Sequence, residues 1–120
     1  MPYPGGWTRE YGFERAIEIL KSPDLPSAIF AMDDELAMGA MMAARELGLR
    51  IGSDLSVAGF DDVPEAALCE PPLTTIAQPY TEIGMRAVGL LLGSMRGGGG
   101  ERILLPGRMI VRASTGRLPV

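Results

Sequence analysis

Residues 28–60 read AIFAMDDELAMGAMMAARELGLRIGSDLSVAGF, and this stretch decides the fold. Ala28 to Met32 is a short apolar run between Pro26 and a group of acids, the pattern of a buried strand. Asp33-Asp34-Glu35 follows, where a carboxylate can cap the next helix and complement the positive end of its dipole. Leu36, Ala40, Ala43, Ala44 and Leu47 then give one apolar stripe at helical spacing. Gly48 suits the left-handed residue that follows a helix end. Leu55 to Phe60 is a second buried strand. Strand, helix and strand in so few residues make a βαβ crossover, and hence a parallel sheet.

Upstream, Thr8 can cap a helix running to Lys21, with Phe13, Ala16, Ile17 and Leu20 on one face. Ser22-Pro23 ends it, because a proline disfavours helical geometry in the residue before it. Downstream, Asp61-Asp62-Val63-Pro64 closes the second strand, and Glu65 to Cys69 suits one helical turn. Pro71-Pro72 forces extended chain into Leu73 to Ile76, a third strand or edge segment. A helix from Pro79 to Arg96 stops at Gly97-Gly98-Gly99-Gly100, a flexible connector. Two short strands are expected beyond it, Arg102 to Leu105 and Arg108 to Arg112, separated by the turn dipeptide Pro106-Gly107.

A chain of 120 residues supports one core rather than two full domains. With 47% apolar and 22% charged residues it has the composition of a folded globular protein. No apolar run approaches the roughly 18 residues that span a bilayer, and the opening MPYPGGWTREYGF lacks the basic flank and apolar stretch of a signal peptide. Eleven basic residues stand against fifteen acids, a net charge of −4, and the arginines are scattered. That balance argues against a nucleic-acid surface on this segment. Histidine is absent and Cys69 is alone, so triad, thiolate-zinc and disulfide chemistry have no partners here. No cofactor is expected: Gly5-Gly6 lacks dinucleotide-loop spacing, and no phosphate-loop motif occurs.

Two acidic pairs remain, Asp33-Asp34 and Asp61-Asp62, each directly after an apolar strand. In an open parallel sheet, ligands bind beyond the carboxyl ends of the strands, so both pairs fall on the functional edge. Any one of these acids can simply cap a helix or start a turn. Two pairs at equivalent strand ends favour a binding role for one member of each. A carboxylate suits a polyhydroxyl ligand, since it accepts hydrogen bonds from neighbouring hydroxyls. Mg²⁺ held for hydrolysis is the catalytic alternative, and it needs more oxygen ligands and a phosphate partner. Trp7 is either a core or hydrophobic-staple residue or a ring for stacking on a ligand. Met38, Met41 and Met42 read as core or subunit contact, and Cys69 as a small buried hydrophobe.

The run AIFAMDDELAMGAMMAARELGLRIGSDLSVAGFDDVPEAALCEPPLTTIAQPYTEIGMRAVGLLL resembles the C-terminal part of lactose/galactose-type repressors. The opening GGWTREYGFERA and the closing LLPGRMIVRAST share that resemblance, which covers nearly the whole chain. Its signatures are an acid pair opening a glycine-containing helix, GFDD, PPLTTI-Q-P and R-x-S-T, and in that order they are specific.

The resemblance implies an α/β, parallel-sheet C-terminal lobe of a two-lobed fold like that of periplasmic sugar-binding proteins, present here as a fragment. Residues 1–78 and 101–120 would form that lobe. Residues 79–100 would cross over to an N-terminal lobe outside this chain. The implied function is the sensing of an effector, a sugar or related polyhydroxyl, in a cytoplasmic repressor without enzymatic activity or membrane attachment. It would reach operator DNA through a helix-turn-helix that this chain lacks. Carried over by position, Asp61 is the main effector acid, and Asp33 a second contact. Trp7 would stack on the effector, and Gln78 and Tyr80 would line the same pocket. Asp34 and Asp62 are expected as structural cap and turn residues. The family forms homo-oligomers through this lobe, which points to Met38, Met42 and Cys69. Ile83 and Leu91 lie on a helix face that would associate once its own lobe is missing. A sugar receptor feeding an ABC transporter in the periplasm shares the fold; PPLTTI-Q-P and R-x-S-T favour the repressor.

Overall fold

Thr8 starts the first helix, its hydroxyl accepting a hydrogen bond from the Tyr11 amide at 3.2 Å. The structure, a computed structural model, describes residues 6–117; the outer ends of the lobe expected at 1–78 and 101–120 lie outside the described residues. Helix α1 (Arg9–Leu20) leads to strand β1 (Ala28–Phe30), helix α2 (Asp34–Glu46) and strand β2 (Ser56–Ala58). The short helix α3 (Pro64–Leu68), strand β3 (Thr75–Ala77), helix α4 (Tyr80–Met95) and strand β4 (Arg108–Ile110) follow. The helix expected from the Leu36–Leu47 stripe ends where its signal lies, with Gly48 at φ 74°.

β1 and β2 pair in parallel, Ala28 opposite Ser56 and Phe30 opposite Ala58. The parallel array continues through single bridges from Ala58 to Thr74 and from Asp61 to Ala77. The amides of Gly59 and Asp61 donate to the carbonyls of Thr74 and Ile76, both at 2.9 Å. The expected α/β fold with a parallel sheet is therefore present, with its carboxyl edge at Asp33, Asp61 and Ala77. β3 and β4 form a second, two-stranded sheet.

α2 supplies half of the buried apolar residues: Ala37, Met38, Ala40, Met41, Ala43 and Ala44 are buried with Ala16 and Leu20 of α1 and Val57 of β2. Small side chains let the helices approach closely. A Cβ on Gly39 would run into the Arg9 carbonyl and the Phe13 amide, and one on Gly12 into the Leu36 carbonyl. Leu55, Val57 and Leu73 are fully buried, each contributing about 1.5–3 kcal/mol of transfer free energy.

Two expectations are corrected. β1 is not a buried strand: Phe30 is 61% exposed, because β1 is an edge to which β2 alone pairs among the described residues. Residues 102–105 form no strand; Ile103 and Leu105 are half-buried and Leu104 exposed, without a paired neighbour to fix an extended register.

The chain divides into two units, one running to Ala77 and resuming at Met109, the other Gln78–Arg108. In the second unit, α4 buries none of its 16 residues.

Candidate functional site at the carboxyl edge of the parallel strands

Asp33 and Asp34 follow β1 and do different work. Asp33 is the N-cap of α2: its Oδ1 accepts the Leu36 amide at 2.7 Å. Asp34, expected as the cap, is instead the centre of a buried network at 1% exposure. Its Oδ1 accepts the Thr75 hydroxyl at 2.5 Å and its Oδ2 the Val63 amide at 2.9 Å. Burial pushes the Asp34 carboxyl above its ordinary range, aided by the nearby charges of Asp61 and Asp62, while the Thr75 and Val63 hydrogen bonds pull it back. Gly59, just beyond the end of β2, is close enough that a Cβ there would strike the Asp34 carboxylate.

Asp61 and Asp62 follow β2 in an uncommon backbone. Asp61 has φ 113° and Asp62 φ 54°, two consecutive non-glycine residues in the positive region. Such conformations cost on the order of 1–3 kcal/mol and persist only where their surroundings impose them. Here three successive amides are held: Asp61 N–H by the Ile76 carbonyl at 2.9 Å, Asp62 N–H by Thr75 Oγ1 at 3.3 Å, and Val63 N–H by Asp34. The Asp62 carboxylate accepts from Arg112 Nη2 at 2.7 Å, with both side chains mostly buried. Asp62 is thus the expected turn residue and also a tether. Asp61 is half-buried and stands at the carboxyl end of β2, the end of a parallel strand where ligands bind in open sheets of this kind.

The closing R-x-S-T signature explains what steadies this edge. Arg112 Nη1 donates to the Leu73 carbonyl, and its own amide to Thr74 Oγ1, both at 2.8 Å. Ser114 is fully buried; its hydroxyl donates to the Val57 carbonyl at 2.6 Å and accepts the Thr74 amide at 2.8 Å. Thr115 and Thr74 share a hydroxyl hydrogen bond of 2.8 Å. In the sequence these residues stand only as a signature, with no role attached to them. Their partners lie 38 to 57 residues away, beyond what local periodicity can show.

The other expected residues are placed as follows. Trp7 is 63% exposed, so it is not a core residue, and the staple is ruled out because the residue it would pack on is Gly12. Gln78 and Tyr80 belong to the second unit, where Gln78 Nε2 lies 3.5 Å from the Tyr80 hydroxyl. Met38 is 4% exposed and committed to the chain's own core, leaving little of it to meet another molecule. Met42 is 48% exposed, and Cys69 is partly buried with its Sγ near the carbonyls of Ala66 and Pro71. Ile83 and Leu91 of α4 are exposed. Among the described residues no group of three or more His, Cys, Asp or Glu could hold a metal ion, and no helix is long and apolar enough to cross a membrane.

The sequence from residue 2 to 115 matches the family model of the periplasmic binding protein-like domain. Among curated proteins, the chain is 43% identical over 118 residues to the HTH-type transcriptional repressor CytR of Escherichia coli (strain K12), covering 96% of this chain and 34% of that one. It is 37% identical to the lactose operon repressor of Escherichia coli (strain K12), covering 92% of this chain and 31% of the repressor. The lac repressor dimer solved with operator and the anti-inducer ONPF superposes with a TM-score of 0.86 at 36% identity, over 94% of this chain and 40% of that chain. The chain spans about a third of the length of these curated relatives.

Proposed function

The chain belongs to the periplasmic binding protein-like family, and from that membership we propose that it is the effector-binding C-terminal part of a lactose/galactose-type transcriptional repressor. The observation that carries this reading is Asp61, held in a positive-φ turn at the carboxyl end of β2. A carboxylate fixed there accepts hydrogen bonds from a polyhydroxyl ligand, a sugar or a related compound. Asp33 adds a second acceptor at the neighbouring strand end, and the exposed Trp7 indole offers a face for stacking on a sugar ring. By the family resemblance Gln78 and Tyr80 are further candidate effector contacts, and the chemistry is recognition rather than catalysis.

Residues 79–100 contribute to the other lobe of the parent. That reading is supported by α4, whose Ile83, Val88, Leu91 and Leu92 are exposed within this chain. The parent is a cytoplasmic homodimer with Met42 and Cys69 near the shared surface. It binds operator DNA through a helix-turn-helix outside this chain, and effector binding changes operator affinity through the relative placement of the lobes.

The test has two steps on the repressor that carries this chain. A thermal-shift screen of sugars, nucleosides and nucleobases identifies the effector, because a ligand of the native state raises its Tm. Gel-shift titration of the operator with and without that effector then reads the coupling. A ligand that raises Tm while leaving operator affinity unchanged would point to a receptor and refute the repressor reading.

A further inference from the structure

We propose that Arg112 is a positioning residue for Asp61: its guanidinium, by gripping Asp62, holds the turn that fixes the direction of the effector-binding carboxylate. The inference rests on the effector-site reading of Asp61, and it assigns the R-x-S-T arginine a part in that site.

Asp61 and Asp62 both have positive φ, so an isolated chain would relax out of this turn. The hydrogen bonds made by its amides leave it with a weak point. The Asp62 amide reaches Thr75 Oγ1 at 3.3 Å, longer than the 2.9 Å bonds made by the Asp61 and Val63 amides on either side. At that position the Asp62 side chain adds a second hold, through Arg112 Nη2 at 2.7 Å.

Arg112 is suited to this by being anchored itself. Its Nη1 is tied to the Leu73 carbonyl and its backbone amide to Thr74 Oγ1, so the guanidinium is fixed to the chain entering β3 before it meets Asp62. A guanidinium presents its N–H groups in one rigid plane, so the bond to Leu73 sets the direction of the bond to Asp62. Arg112, Leu73, Thr74 and the Asp61-Asp62 turn therefore form a frame that spans two strand ends. The side chains of Arg112 and Asp62 are only 19% and 27% exposed, which shields the pair from water and salt. A carboxylate held by such a frame enters binding already oriented, and less freedom is lost when the ligand arrives.

The experiment is amide hydrogen exchange by NMR on this chain, together with the three-bond HN–Hα couplings of Asp61 and Asp62, which report φ. In Arg112→Met, exchange at Asp61, Asp62 and Val63 is expected to rise at least tenfold. The amides of Val57 and of the α2 core should change less than twofold, and the two couplings should move toward averaged values. Asp62→Asn should reproduce this pattern, and the double variant should add little to it. Arg112→Lys keeps the charge without the fork and should fall between, which preserves the test if Arg112→Met fails to fold. A uniform rise across all core amides would mean that Arg112 is merely structural and would overturn the proposal, as would unchanged exchange and couplings at Asp61 and Asp62. Failure of the effector reading, seen as unchanged effector affinity in Asp61→Asn, would leave the exchange pattern intact, so the two failures are distinguishable.

Discussion

Asp34 and Thr75, 41 residues apart in sequence, meet in the interior with the Thr75 hydroxyl 2.5 Å from the Asp34 carboxylate. This contact joins the start of α2 to β3, and through Val63 it also holds the chain leaving β2. One carboxylate therefore ties the two segments that carry the acidic pairs to each other and to β3.

Asp34→Asn tests the network. The carboxylate accepts from two donors, the Thr75 hydroxyl and the Val63 amide. An amide side chain has one acceptor oxygen, so one buried donor loses its partner. The expected cost is about 1–3 kcal/mol of unfolding free energy, read by urea denaturation. A variant as stable as the parent would show that the two donors find other acceptors.

The pH dependence follows from opposite shifts in two acids. Asp34 is raised above 3.8, chiefly by burial, so over the range between the two values the folded state keeps a proton that the unfolded chain has released. Its contribution is full below the unfolded pKa and is lost as pH rises through the folded one. Asp54, hydrogen-bonded by the Arg50 side chain and amide, is lowered to about 2, so its contribution is present above 3.8 and is lost as pH falls toward 2. Carbon-13 NMR titration of the carboxyls should give a midpoint above 3.8 for Asp34 and near 2 for Asp54. The reverse order would contradict the burial of Asp34.

The contact of α1 with α2 gives a paired test of packing. In Gly39→Ala the new methyl meets the backbone of Arg9 and Phe13, which cannot move without displacing α1. A loss of about 1–3 kcal/mol is expected, as for overpacking elsewhere. At Gly89 in α4 nothing lies within 4 Å of where the new methyl would stand, so Gly89→Ala should instead gain roughly 0.5–1 kcal/mol from helix propensity. Thermal denaturation of both variants checks the pair, and equal effects would refute the close approach at Gly39.

The fold is legible where the signal is local. The stripe from Leu36 to Leu47, Gly48 after it and the apolar runs on either side define the βαβ unit, and from it the edge on which Asp33 and Asp61 stand. Roles set by distant partners are not legible. Local pattern does not separate Asp33 from Asp34; Asp33 caps α2, while Gly59 and Thr75 arrive beside Asp34 and bury it. Arg112 and Ser114 can be read as a signature, but their hydrogen bonds run to Asp62 and Val57, 50 and 57 residues away. Met38 and Met42 lie on one helix, yet packing against α1 and the sheet buries the first and leaves the second half exposed. The strand expected at 102–105 shows the same limit, since a short apolar stretch beside a turn dipeptide does not supply a pairing partner.

The central claim is that Asp61 holds the effector, and calorimetric titration of Asp61→Asn in the repressor that carries this chain tests it most directly. Asparagine tolerates positive φ nearly as well as aspartate, so the turn should survive the change. It removes the charge that makes the acceptor strong, and effector binding should weaken by about 1.5–3 kcal/mol with Tm almost unchanged. Affinity equal to that of the unaltered protein would contradict the assignment of Asp61 to the effector site.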